Sequence, residues 1–521
     1  MSPDPRPTLS PQSAAGNRSL RVKNEAVEQI VASVGCREPG WYSFVTPPGG
    51  GRTTFIDAVC SRLLEKEREL FARHGQTVHV TKEISLNEYP YLSNKGSAVG
   101  LTLRFMNEKA RGVRLRRSTD NAKLLRTALT VPNTLVSTLT PVGCVAMGLL
   151  VDEFLAEALT ADGGVDQHRI ATYADRLGFG PLVEPIVTYC DGVHAQRKSL
   201  LDTTGLTDPV TFTARLLDRK KRWEPEFLPL VWLVDDYELL PHAERLLLHR
   251  LAEKTQLVVT ADPNQSLAPW PLEEQVWFPS TARVWEIHGS YTLHAKTMTV
   301  LREQGYPTHE VLPCRYRELV PDHQGGLTAA PLSKLGEMFN PLSDLLICGR
   351  LLDVPLVIKH LEPNRKPTVL IAYGLYGRLD ALVRYLAATY PNHLTKGAAA
   401  LHDFLATRLN PGYGAWWVTE LLDSLNLLAA VPGHPTPLAL LQSLTTTLRL
   451  NVSLPGGSPR NRVALVYRSK GMRYDNVWYP SPQPGEHGTD PWREVCERVD
   501  YHALTRAQQW SIYISDWRKT T

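Results

Sequence analysis

At 521 residues, 43% hydrophobic and only 21% charged, the chain has material for roughly three or four compact units and is too apolar for a disordered polymer. Its net charge of +4 makes no whole-chain demand for nucleic acid, so any basic binding surface has to be local. The seven cysteines (Cys36, Cys60, Cys144, Cys190, Cys314, Cys348 and Cys496) include no pair at CxxC spacing, which argues against a zinc ribbon, an iron–sulfur cluster or a disulfide framework and fits a reducing cytoplasm.

The first residues, 1–16, are rich in Pro and Ser without an apolar signal core and are expected to form a disordered tail. Trp41 to Thr46 is a β-prone run that enters the loop Pro47-Pro48-Gly49-Gly50-Gly51-Arg52. Behind it, Phe55, Ile56, Val59, Leu63, Leu64 and Leu70 recur at helical spacing and predict a helix over Thr53 to Phe71. Residues 90–225 read as mixed and mostly helical, and the apolar run Pro141 to Val151 is too short to cross a bilayer. Leu228 to Val234 has the character of a buried parallel strand ending at Asp235-Asp236. A helix is expected over Pro241 to Lys254, then a strand over Gln256 to Thr260 ending at Ala261-Asp262. A second series of strands is expected at Thr368 to Ala372, Val463 to Tyr467, Asn476 to Tyr479 and Ser511 to Ser515, with linkers near 323–342 and 453–460. Strands alternating with helices, with acidic residues at strand carboxyl ends, imply an α/β fold with parallel sheets.

Thr46 to Thr53 has the spacing of a phosphate-binding (Walker A) loop. Its glycines, Gly49, Gly50 and Gly51, let backbone N–H groups close around phosphates at the positive end of the following helix, which Arg52, Thr53 and Thr54 open. Thr53 would place its hydroxyl on Mg²⁺. Arg52 stands where Lys is usual, with a larger and differently aimed cation. Asp235 would hold the same Mg²⁺ and Asp236 would orient an attacking water. The segment Asp262-Pro263-Asn264-Gln265-Ser266, with Trp270 after it, follows directly on a strand.

These segments resemble the motifs of UvrD/Rep-type superfamily 1 DNA helicases. Val463 to Val477, containing Ser469-Lys470-Gly471, is similar to their fifth motif, and Glu497 to Ala507, containing Thr505-Arg506-Ala507, to their sixth. The resemblance runs from about residue 25 to 517 and leaves long stretches between motifs unmatched. It implies two RecA-like lobes, about 17–285 and 286–521, with mainly helical insertions about 80–225 and 390–455. By the same resemblance ATP and Mg²⁺ are the cofactors. Gln265 senses the γ-phosphate, Lys470 and Gly471 line the nucleotide site, Arg506 is an arginine finger, and Trp270 stacks on a base of single-stranded DNA. Arg111, Arg114, Arg116 and Arg117, beside Lys109, are candidate phosphate-backbone contacts, with Lys220, Lys221, Arg222 and Trp223 a smaller second cluster.

Departures from the pattern gather on the nucleotide. Arg52 replaces Lys, Asp236 replaces Glu, Glu238 replaces Gln and Arg473 replaces Glu; the fourth motif falls at His288-Gly289-Ser290-Tyr291 without its arginine, with Arg315-Tyr316-Arg317 farther on. Two functions therefore stay open. One is an ATP-hydrolysing single-stranded DNA translocase with weakened turnover, acting in repair, recombination or phage defence, with RNA not excluded as the strand. The other is a non-hydrolysing helicase-like scaffold that partners a nuclease or another enzyme. A P-loop kinase leaves the two C-terminal motifs unexplained.

Overall fold

The computed structural model describes residues 11–36, 39–66, 80–81 and 114–115, most of 151–218, 231–290 except 269 and 288, scattered positions in 291–311, residues 325–348, most of 357–371, and most of 460–480 and 493–514. Within them the protein is mixed α/β and contains two sheets whose strands all pair in parallel. The basic cluster at Lys109, Arg111, Arg116 and Arg117, that at Lys220 to Trp223, Lys470, Gly471, Arg473, Arg315 to Arg317 and the 390–455 insertion lie outside the described residues. Arg114 opens a two-residue strand paired with Leu206–Thr207.

The first sheet comprises β1 (Gly40–Val45), β2 (Val80–Thr81), β3 (Val231–Val234), β4 (Gln256–Ala261) and β5 (Arg283–Glu286), in the order β2-β3-β4-β1-β5. Period-two alternation explains its two covered faces. Phe44, Val231, Leu233 and Val258 meet α1 (Pro11–Cys36) and α2 (Arg52–Glu65) through Ile30, Phe55, Ile56 and Val59. Trp41, Trp232, Val234, Leu257 and Val259 point the other way, onto Phe212 and Leu216 of α5 (Pro209–Leu217) and Leu247, Leu248 and Leu251 of α6 (His242–Ala252). Before α5 come α3 (Gln167–Arg176) and α4 (Val183–Thr204), so the described part of the inserted segment is mainly helical. Each large apolar side chain buried in these layers contributes roughly 1.5–3 kcal/mol.

The second sheet comprises β6 (Gly326–Ala330), β7 (Asp344–Cys348), β8 (Thr368–Ile371), β9 (Asn461–Leu465), β10 (Tyr474–Tyr479) and β11 (Ala507–Ile514), in the order β6-β11-β10-β7-β9-β8. Helix α7 (Arg493–Leu504) packs Val499, Tyr501, Ala503 and Leu504 onto it. Leu267, which follows the first sheet's β4, is buried in this second core.

Two expectations are corrected. Helix α1 begins at Pro11, inside the segment read as tail; Pro suits a first helical position because its missing N–H would have no partner there. The 323–342 linker contains an edge strand, β6, and a helical turn at Leu335–Met338, because its apolar residues bury against the second sheet despite the surrounding Gly and Pro. Helix α2 is described only to Glu65, and β3 only from Val231. Among the described residues no helix is long and apolar enough to cross a membrane.

Candidate functional site

Parallel pairing puts the carboxyl ends of β1, β3 and β4 on one edge of the first sheet, the edge where open α/β sheets take ligands. After β1, Thr46 N donates to Ala261 O at 3.1 Å and Gly50 N to Pro47 O at 2.9 Å, which closes the glycine loop. Gly49 and Gly51 have φ of 77° and 90°, open only to glycine at low cost. A Cβ on Gly50 would fall 1.6 Å from Thr46 Oγ1 and 2.9 Å from Gly289 O, so the loop has no room for a side chain there. Phe55 N bonds Gly51 O at 2.8 Å, starting α2 directly behind the loop. Thr54, in the first turn of this helix, is exposed. The fourth-motif position touches this loop, since Ser290 Oγ donates to Pro48 O at 2.7 Å.

Thr53 Oγ1 donates to Asp235 Oδ2 at 2.8 Å, and Thr260 Oγ1 of β4 donates to the other oxygen of the same carboxylate. Burial and the neighbouring Asp236 push the Asp235 carboxyl up to about 6, against the opposing pull of Arg52 and the two hydroxyls. Asp236 adopts the left-handed region at φ 64°, uncommon for a side-chain-bearing residue though tolerated by Asp. That turn starts the short 3₁₀ segment Tyr237–Leu239 and delivers Glu238 back toward the loop.

Arg52 does not lie open to solvent. Its Nη1 pairs with Glu238 Oε1 at 2.5 Å and lies 3.6 Å from Asp236 Oδ1, while Nη2 donates to Gln265 Oε1 at 3.2 Å. Burial alone would lower its pKa, but the carboxylates of Glu238, Asp236, Asp262 and Asp235 more than reverse this and keep it charged. Gln265 is fixed by its own Nε2, which donates to Asp262 Oδ2 at 3.2 Å.

The second sheet reaches the same glutamine. Arg506 Nη2 donates to Gln265 Oε1 at 3.0 Å, and its Nε to His502 O at 3.2 Å. Two guanidinium groups, from residues far apart in sequence, thus share one acceptor oxygen. Trp270 is placed differently from its expected role. It is 2% exposed, its Nε1 donates to Glu157 Oε2 at 2.8 Å, Tyr173 stacks on it at 5.8 Å and the Arg169 guanidinium lies 4.1 Å from its ring centre. A base reaches this indole only if one of those neighbours leaves.

Sequence reasoning brought Thr53, Asp235, Asp236, Gln265 and Arg506 forward, and the structure gathers them with Arg52 at one place. It did not assign roles to Thr260, Asp262, Ser290 or Arg498, which hold the others; a single polar residue in a strand, a turn or a helix carries no signal of the distant group it bonds. Glu238 was noticed as a departure, and its charge relation to Arg52 was the available clue to their pairing. Among the described residues no cluster of three or more His, Cys, Asp or Glu could hold a metal ion. A scan against protein-family models found no match, and a search of curated proteins found none.

Proposed function

We propose that the two sheets are RecA-like lobes of a UvrD/Rep-type, ATP-dependent single-stranded DNA translocase, with ATP bound between the glycine loop and Arg506. The observation that carries this reading is the Arg506–Gln265 contact, in which an arginine beside the second sheet reaches the residue expected to sense the γ-phosphate. The site's residues also fit the expected ligands. Thr46 Oγ1 is buried in the glycine loop with no hydrogen-bond partner among the described residues, and the loop packs so closely at Gly50 that only a residue without a side chain fits there. Thr53 and Asp235, already in contact, form a hydroxyl–carboxylate pair suited to Mg²⁺, which when bound neutralises charge on the phosphates. Asp235 and Asp236 supply the carboxylates at the strand end, and Asp236, which follows Asp235 in the left-handed backbone region, would orient the attacking water. Arg506 stabilises the charge that develops as the terminal phosphoryl group leaves.

A second reading, the non-hydrolysing scaffold that works with a nuclease, rests on Arg52. Its guanidinium is hydrogen-bonded to Glu238 and Gln265, a pairing that opposes its transfer to a phosphate. ATP hydrolysis measured with and without single-stranded DNA, with Arg506→Ala as control, separates the two. DNA-stimulated turnover that falls about 10³-fold in the variant supports the motor. DNA or partner binding without any turnover sinks it.

A further inference from the structure

Arg52 and Glu238 both depart from the resembled pattern, and they depart together: a larger cation on the loop faces a carboxylate where an amide is usual. The two lie 186 residues apart in sequence and meet at 2.5 Å, with Arg52 8% and Glu238 0% exposed. Neither group is free to drift into water. Glu238 is also held from behind, since Arg245 Nη2 donates to the Glu238 backbone carbonyl at 2.7 Å and Arg245 Nε to Leu240 O at 2.9 Å. Arg245 lies 4.7 Å from the Trp277 ring centre and is itself buried, so the turn that presents Glu238 is braced.

We propose that Glu238 is an internal counter-ion that competes with phosphate for the Arg52 guanidinium, so that it sets how tightly this chain takes a polyphosphate ligand. The proposal rests on the nucleotide-binding reading above. The physical basis is that a phosphate chain approaching the loop meets an arginine already paired in a dry environment. It must either share that arginine with a carboxylate of like charge or displace a buried pair, and both oppose binding. Asp235, Asp236 and Asp262 add negative charge around the same guanidinium, Asp236 at 3.6 Å, and Glu238 is the nearest member of this acidic group and the one hydrogen-bonded to Arg52. A lysine facing an amide carries no such competition. The pair therefore converts a permanently receptive loop into one that takes nucleotide only when the ligand brings enough compensation, such as a divalent cation on its phosphates.

The test is calorimetric titration of the full chain with Mg-ATP, Mg-ADP and inorganic tripolyphosphate, comparing wild type with Glu238→Gln, Glu238→Asp and the double variant Arg52→Lys/Glu238→Gln, alongside thermal melts. Glu238→Gln keeps shape and an acceptor oxygen, and Glu238→Asp keeps charge but withdraws it, and the thermal melts identify which variants retain the fold. Each folded single variant is expected to bind tripolyphosphate more tightly than wild type, about 10-fold for Glu238→Gln, equivalent to about 1.4 kcal/mol. The double variant should bind at least as tightly as wild type. Equal or weaker binding by folded Glu238 variants, with wild type binding normally, overturns the proposal and makes Glu238 a group that aims Arg52 at phosphate. Absence of binding by every chain overturns the nucleotide reading together with it.

Discussion

Trp270 Nε1 donates to Glu157 Oε2 at 2.8 Å, tying the loop after the first sheet's β4 to the inserted segment. The same carboxylate accepts from His242 N at 3.4 Å, and Arg169 Nε donates to Glu157 O at 2.7 Å beneath the indole. Trp270 is therefore an anchor for the insertion. Trp270→Ala is expected to cost on the order of 3–5 kcal/mol of stability. Trp270→Phe removes the hydrogen bond while keeping a ring; it should lower the melting temperature and leave single-stranded DNA affinity within about threefold. A base stacking on Trp270 is worth about 1–3 kcal/mol, and a tenfold or greater loss of DNA affinity in a folded Trp270→Ala protein would restore the stacking role.

Much of this architecture was legible because the signals were periodic or compositional. The apolar, β-prone runs of β1, β3 and β4 and the helical spacing behind the glycine loop located the first sheet and the edge that carries the glycine loop. Segments that carry chemistry at strand ends, such as Asp235 and Gln265, were legible because their position after a buried run is itself a pattern. What escaped was long-range pairing. Nothing in the local spacing places Glu238 on Arg52, Glu157 on Trp270 or Ser290 on Pro48, since each contact joins residues brought together only by the order of strands in the sheet. The edge strand β6 escaped for another reason: Gly326 and the prolines around it read as linker, and only parallel pairing with β11 makes five residues there a strand.

The Asp235 carboxyl, raised to about 6 chiefly by burial, gives the site a pH dependence of definite sign. Between its unfolded value near 4 and about 6 the folded state holds more proton than the unfolded one, so this group's contribution to stability falls as pH rises through that window. Above pH 6 the ionised carboxylate is a standing cost on the order of 3 kcal/mol. Asp235→Asn is accordingly expected to melt several degrees higher than wild type at pH 7.5, with the difference closing by pH 4, while losing Mg²⁺-dependent nucleotide affinity. Mg-nucleotide binding near pH 6 should also release a proton, read as a dependence of the calorimetric heat on buffer ionisation enthalpy. A melting difference that does not change with pH would reject the assignment.

Glu244 presents the same physics away from the glycine loop. It sits in the first turn of α6, 1% exposed, and neither carboxyl oxygen has a hydrogen-bond partner among the described residues. Burial pushes its carboxyl up to about 8, so it is largely neutral at pH 7. Its contribution to stability falls as pH rises from about 4.5 to about 8 and is level beyond. Glu244→Gln should match wild type below about pH 4.5 and exceed it on the order of 5 kcal/mol at pH 9, measured by denaturant titration at a series of pH values. Equal stability of the two proteins at pH 9 would mean that a cation or water reaches the carboxylate.

Arg498 offers the clearest test of whether the two sheets act as one body. It is 3% exposed, and from α7, against the second sheet, its Nε donates to Ser266 O at 2.9 Å and its Nη2 to Ala268 O at 3.0 Å and Trp270 O at 2.8 Å. Its Nη1 pairs with Glu494, whose carboxylate accepts Leu272 N at 3.2 Å. The segment from Gln265 to Leu272 is thus held along its length by α7 and by Arg506 just beyond it, and Leu267 is buried in the second sheet's core. A planar fork with several donors suits this task, and lysine cannot reproduce it. Arg498→Ala strands the Ser266 and Ala268 carbonyls in a buried interface and leaves Trp270 O to Gln275 Nε2 alone, and is expected to cost about 3–5 kcal/mol. Arg498→Lys should recover only a minor part of that. Because the contacts lie between the sheets and not within either core, the loss should appear as uncoupling: a single denaturant transition in wild type becoming two in Arg498→Ala, with new protease cleavage in 266–272. An unchanged single transition at the same midpoint would show that the sheets are coupled by other contacts and that Arg498 only orders the loop.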